Sequence, residues 1–92
     1  MEQLEVETSV AAFPNPGKDK IFFHMNNLPE GSYELNIIDN NGKLLQSIII
    51  SQPASGELIH EVDLRNYTSG IFAFTLTGAQ GTSLSGKFSV IK

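Results

Sequence analysis

The feature that most restricts this chain is a β-hairpin written into residues 32–51, Ser32–Asp39, Asn40-Asn41-Gly42, Lys43–Ser51. Asn-Gly between alternating apolar runs is the strongest short-range hairpin signal, and a type I′ turn matches the twist of antiparallel strands. If Asn41 and Gly42 form the loop, Asp39 lies opposite Leu44, Ile37 by Gln46, Leu35 by Ile48 and Tyr33 by Ile50. That register collects Tyr33, Leu35, Ile37, Leu44, Ile48 and Ile50 on one face, as period-two geometry requires. A slip of one residue sets Leu35 against Ser47 and scatters the set. No stretch of the chain has a 3.6-residue apolar period, so a helix has nothing to bury.

The rest of the chain follows the same strand-and-turn rhythm. Val6–Ala12 reads as a first strand, stopped by Phe13-Pro14-Asn15-Pro16-Gly17, where two prolines force an extended or turning backbone. Lys18–Met25 sends Ile21 and Phe23 to one face and Phe22 and His24 to the other. Asn27-Leu28-Pro29-Glu30-Gly31 is a turn, as is Gln52-Pro53-Ala54-Ser55-Gly56. Glu57–Leu64 places Leu58, His60, Val62 and Leu64 on one face. Ile71–Thr77 alternates Phe72, Phe74 and Leu76 with Ile71, Ala73 and Thr75. Gly78-Ala79-Gln80-Gly81 turns the chain into Thr82–Lys92, with Leu84, Gly86, Phe88 and Val90 inward. Gly86 in that row indicates a bulge or a close approach beneath an aromatic ring. Several short strands at regular spacing mean an antiparallel sandwich or small barrel. With 92 residues, an all-β, immunoglobulin-like antiparallel β-sandwich of about seven strands fits best. The whole length, residues 1–92, makes one domain.

Composition removes several function classes. Ten acidic residues against six basic ones give a net charge of −4, and no basic stripe exists to follow a phosphate backbone, which argues against nucleic acid. The longest apolar run, Ile48-Ile49-Ile50, is far short of the ~18 residues a membrane helix needs. The first residues, Met1-Glu2-Gln3-Leu4-Glu5, lack the basic start and apolar core of an export signal. The chain therefore reads either as cytoplasmic or as a piece of a longer exported precursor. With no cysteine, a disulfide framework and thiolate metal sites are ruled out.

No catalytic, cofactor or metal constellation is expected. His24 and His60 lack metal-binding spacing. Asp39-Asn40-Asn41-Gly42 opens like a calcium loop, but its twelfth position is Ile50, where a glutamate is needed. Asn66-Tyr67-Thr68 fits the N-glycosylation pattern, yet Asn and Thr belong in a turn in any case. Ser85 in Leu84-Ser85-Gly86 lacks the preceding glycine of a nucleophile elbow. Glu61 and Asp63 share one strand face and read as a solvated acidic strip. Trp is absent, and Tyr33 and Tyr67 are assigned to core and turn, so a sugar-binding platform is poorly supported. An enzyme is not the reading.

The order of the turn motifs adds what spacing alone does not. Phe13-Pro14-Asn15-Pro16, then Leu28-Pro29-Glu30-Gly31-Ser32-Tyr33-Glu34-Leu35-Asn36-Ile37, then Asp39-Asn40-Asn41-Gly42-Lys43, then Ser69-Gly70-Ile71-Phe72, then Lys87-Phe88-Ser89-Val90-Ile91-Lys92 resembles the type A C-terminal sorting domain of type IX (Por) secretion cargo. The resemblance runs from about Phe13 to Lys92. It implies an immunoglobulin-like sandwich at the end of a large secreted precursor, behind an upstream cargo domain. It further implies transit through the periplasm, recognition by an outer-membrane secretion translocon, and removal by a surface sortase that leaves cargo on the cell surface or outside the cell. No cofactor and no direct membrane insertion are implied. By position, Pro14, Asn15 and Pro16 match the family's opening motif, Gly42 and Lys43 its hairpin motif, and Gly70, Ile71 and Phe72 the motif before the penultimate strand. Phe72 stands where the family usually has Tyr; the ring, and so the packing, is kept. Phe88 and Val90 belong to the terminal strand and to the core. The residues expected to meet the translocon are the outward-facing Lys87, Ser89, Ile91 and Lys92, with strand addition to an edge as a further mode. The competing reading is an accessory immunoglobulin-like module that binds a polysaccharide or protein at the cell surface.

Overall fold

The computed structural model describes residues 8–78 and 81–92. Seven strands follow one another: β1 Ser9–Phe13, β2 Lys20–Leu28, β3 Gly31–Ile38, β4 Leu44–Gln52, β5 Gly56–Asp63, β6 Gly70–Gly78 and β7 Ser83–Val90. They form a three-stranded sheet, β1-β2-β5, facing a four-stranded sheet, β4-β3-β6-β7. Every pairing between named strands is antiparallel. The chain crosses between sheets after β2, β4 and β5, which is the immunoglobulin-like layout the strand pattern called for.

Alternation explains the core. Ile21, Phe23 and Met25 of β2 meet Tyr33, Leu35 and Ile37 of β3, Phe72, Phe74 and Leu76 of β6, and Phe88 and Val90 of β7, all buried. Phe23 sits at the centre, edge-on to Phe74 at 4.9 Å and to Phe88 at 5.7 Å, while Phe72 stacks on Phe88 at 5.6 Å. Burying each ring contributes roughly 1.5–3 kcal/mol, and edge-to-face contacts add to that. Gly86 lies opposite Phe74 in the β6–β7 ladder. A Cβ there would come within 2.7 Å of Phe74 Cζ, so the close approach anticipated for this glycine is real. Tyr33 is buried with its hydroxyl donating to the Pro29 carbonyl at 2.6 Å.

The hairpin keeps its predicted pairs Ile37↔Gln46, Leu35↔Ile48 and Tyr33↔Ile50. Its turn differs. Among the turn residues only Gly42 has positive φ, 85°, and the Gly42 N–H donates to the Asp39 carbonyl at 3.0 Å. Asn40-Asn41-Gly42 is therefore a three-residue loop with its glycine in the left-handed region, in place of a two-residue type I′ turn. The Asp39 carboxylate accepts from the Asn41 and Lys43 amides, each at 2.9 Å, which fixes that loop. A bulge then absorbs the extra residue, so Leu44 pairs with Ile38, where Asp39 was expected. Leu44 is consequently turned out of the core and is exposed.

Other boundaries move for equally local reasons. β2 runs on to Leu28, because Asn27 adopts φ 56° within an irregularity between Met25 and Leu28, and Leu28 reaches the core. β1 begins at Ser9 and continues to Phe13; Val6 and Glu7 of the expected strand lie outside the described residues, as do Ala79 and Gln80 of the β6–β7 turn. β7 ends at Val90, two residues before the expected Lys92. Gln52, read as a turn residue, closes β4 buried, its amide reaching the Leu28 and Gly56 carbonyls.

Candidate functional site

Ladder register places the sorting-motif positions at one end of the four-stranded sheet. Ile38, just before the Asn40-Asn41-Gly42 loop, pairs with Ala73, and Gly70 pairs with Val90. The β3–β4 loop, the start of β6 and the end of β7 are thus neighbours. Pro14-Asn15-Pro16-Gly17 comes to the same end from the other sheet, because β1 stops at Phe13 and the chain crosses toward β7. Both bonds preceding these prolines are cis.

What this segment does is grip the last residues. Gly17 forms a parallel bridge with Val90: its N–H donates to the Ser89 carbonyl at 2.8 Å, and its carbonyl accepts from the Ile91 N–H at 2.9 Å. The Asn15 side-chain oxygen accepts from both the Ser89 amide, 3.0 Å, and the Ser89 hydroxyl, 3.1 Å. At the far side the Lys92 amide donates to Ser69 Oγ at 2.9 Å. The Lys92 ammonium donates to the Lys18 carbonyl at 2.8 Å and the Leu64 carbonyl at 2.6 Å. The Leu64 carbonyl also accepts from the Tyr67 N–H at 2.9 Å, so the Lys92 ammonium adds a second, charge-assisted bond there and supplies a protein partner for the Lys18 carbonyl. A Cβ on Gly17 would approach Leu64 Cδ1 to 2.8 Å, so the bridge depends on a backbone that can come this close.

The predicted contact residues are therefore placed unequally. Lys87 and Ile91 are exposed, Ile91 to 59%. Ser89 is half-buried and committed to Asn15, so it is a clamp member rather than a free contact residue. Lys92 is exposed overall, yet its ammonium is tied to two carbonyls. Ile71, opposite Ser89, is 58% exposed and adds an apolar residue beside this segment. Phe72, Phe88 and Val90 are core residues. Gly42 and Lys43 share the same end, in the loop that the Asp39 carboxylate and carbonyl hold. Ser69 opens a motif singled out in the sequence but carries no assigned role there, and nothing in the sequence marks Lys18 or Leu64, which act through backbone carbonyls for which side-chain identity gives no signal.

Between the hairpin loop and the β5–β6 connection lies an open groove lined in part by Leu45, Gln46, Tyr67 and Phe72. Tyr67 packs edge-on against Phe72 at 5.2 Å, and its hydroxyl donates to Gln46 Oε1 at 3.0 Å; burial pushes its pKa up. Nearby, Asp63 accepts from the Arg65 guanidinium at 2.8–3.1 Å and from the Arg65 amide at 2.9 Å. Those bonds hold its carboxyl down to about 2, and they raise Arg65 in turn. The two histidines lie on opposite faces of the three-stranded sheet. His24 is outward, 2.5 Å from Glu57 Oε2 and edge-on to Phe13, whereas His60 pairs with Phe23 and faces inward.

Comparison with known proteins agrees with this layout. Residues 11–92 match the family model of the secretion system C-terminal sorting domain. No curated protein matches the chain. Among solved structures, the CARDB domain of a Pyrococcus furiosus protein, solved with di-metal ions, is similar with a TM-score of 0.53 at 14% identity, covering 98% of this chain and 95% of that one. A β-glucosidase from Listeria innocua, solved with glucose, gives a TM-score of 0.47 at 9% identity over 94% of this chain and 16% of its own. The first of these shows a shared sandwich fold and nothing of function. The family match covers the clamp, the hairpin loop and the terminal strand together: the chain belongs to the secretion-system C-terminal sorting domains, the signals by which type IX secretion delivers proteins to the cell surface or the medium.

Proposed function

We propose that the clamped end of the sandwich is the part of the signal that the outer-membrane translocon reads. In this reading the Pro14-Asn15-Pro16-Gly17 segment holds Ser89–Lys92 in one conformation, and Lys87, Ile71 and Ile91 form the outward apolar-and-basic surface that docks. Fixing the segment before contact lowers the ordering cost of binding. The observation that carries the reading is the pair of bonds from Gly17 to Ser89 and Ile91, which joins the first and last motifs of the family in one structure.

The same reading assigns the domain no catalysis. An upstream cargo in the same precursor crosses the periplasm with it, the translocon recognises it, and a surface sortase then cuts it away. The domain is signal and substrate in turn. The direct test fuses this chain behind an inert periplasmic reporter in a type IX-competent host, beside a fusion lacking Lys87–Lys92. Export of the first and retention of the second is the expected result. Equal export of both, or retention of both with the intact domain folded, refutes the reading in that host.

A further inference from the structure

The opposite edge of the same sheet carries an inference that does not depend on sorting. We propose that β4 is a self-association edge, through which two copies of the chain pair antiparallel about a two-fold axis at Ser47. β4 ends the four-stranded sheet, with β3 on one side and no strand on the other among the described residues. Its outer row of backbone N–H and C=O groups is a template for another strand. Protected edges carry charges, prolines, inward-facing lysines or bulges. β4 has one bulge, at its Leu44–Leu45 end, and its length from Gln46 to Gln52 has no such device. It reads LLQSIIISQ, without charge or proline; Lys43 and Pro53 stand just outside it.

The side chains select the partner and the register. Ile49 is 69% exposed, Leu44 55% and Leu45 41%. Pairing of β4 with a second β4 about Ser47 sets Gln46 opposite Ile48. It also brings Ile49 opposite the Leu44–Leu45 bulge of the second copy, and the symmetry repeats both contacts. An axis at Ile48 would put Ile49 opposite Ser47, and an axis at Gln46 would put it opposite Lys43, leaving the apolar side chains unmatched. No charge meets a like charge in the Ser47 register. The nearest acids are the two Glu34 carboxylates, each held on Ser47 Oγ at 2.9 Å within its own copy; they flank the axis on the exposed face, where solvent and salt screen their repulsion. One strand from each copy buries less than the ~1,200 Å² of a stable complex, so the dimer is weak and its population rises with concentration.

The chain has no cysteine, so single-cysteine variants give clean cross-links. Residue 47 would face its own symmetry mate with Cα atoms about 4.5–5.5 Å apart, inside the range a disulfide spans. Residue 43 would lie eight residues from its mate, ~26 Å along the strand. Under mild oxidation Ser47→Cys is expected to cross-link at least several-fold more than Lys43→Cys. In sedimentation equilibrium the wild-type mass rises above 10.0 kDa with concentration, whereas folded Ile49→Lys stays at the monomer mass. A wild-type chain that remains monomeric to millimolar concentration overturns the proposal. So does equal cross-linking at residues 43 and 47, or an Ile49→Lys variant that still dimerises; the second points to another surface.

Discussion

The two edges of the four-stranded sheet are finished in opposite ways. At the β7 edge, the last turn of chain is covered: Gly17 bridges to Val90, Asn15 takes the Ser89 donors, and the Lys92 ammonium closes over two carbonyls. At the β4 edge nothing comparable is present among the described residues, and an uncharged strand offers its backbone and three apolar side chains to solvent. Strand identity explains only part of the difference: β7 carries the exposed Lys87 where β4 has no charge, but both strands are otherwise rich in small and apolar residues. The covering segment explains the rest. A loop from the other sheet lies along β7, whereas the chain leaves β4 directly for β5. Edges are hazards that proteins manage locally, and here the management sits where the family motifs converge.

The contrast breaks first on stability. Phe88, buried against Phe23, Phe72 and Phe74, ties β7 to the core, so Phe88→Ala should cost about 3–5 kcal/mol in denaturant unfolding. Ile49→Ser on β4 should stay within about 0.5 kcal/mol, as for most surface changes. A comparable loss at both would mean that the edges are equally integrated.

A smaller effect sharpens the clamp itself. Asn15→Ala removes the acceptor of two bonds from Ser89 and should destabilise the domain by about 0.5–1.5 kcal/mol. Hydrogen exchange should quicken at the Ser89 and Ile91 amides while Ile49, across the sheet, is unchanged. Uniform acceleration would show a general loss of stability with no local clamp.

The smallest expected effect is acid titration at the clamped end. The Asp63 carboxyl is held near 2, below its usual 3.8, chiefly by the Arg65 side chain and then by its amide. A depressed carboxylate stabilises the fold above the unfolded value and loses that contribution as pH falls from about 3.8 through 2. NMR titration should place Asp63 near 2, and Arg65→Ala should return it toward 3.8; the exposed ion pair makes any accompanying stability change slight.

Much of the fold was legible because strands declare themselves with a two-residue period. The Ile37↔Gln46 to Tyr33↔Ile50 register and the Gly86–Phe74 contact both follow from alternation and from one missing side chain. The turn is one residue longer than the Asn41-Gly42 pair implies, since Asp39 caps two amides and stabilises a longer loop, which the bulge at Leu44–Leu45 accommodates. The clamp was the least legible part. Asn15 and Ser89 are 74 residues apart, and the Lys92 ammonium binds carbonyls whose side chains are irrelevant to the contact. Motif order marked which segments matter; only tertiary structure reveals that they touch.

The central claim is that the translocon reads the outward residues of the clamped edge and not the edge strand opposite. The most direct measurement compares export of a reporter fused to this chain carrying Ile91→Ser with the same fusion carrying Ile49→Ser. Both side chains are exposed, to 59% and 69%, so neither change should unfold the domain, which circular dichroism of the purified chains would verify. Loss of export with Ile91→Ser alone is the predicted result. Unchanged export with Ile91→Ser, or equal loss with both, would contradict the account.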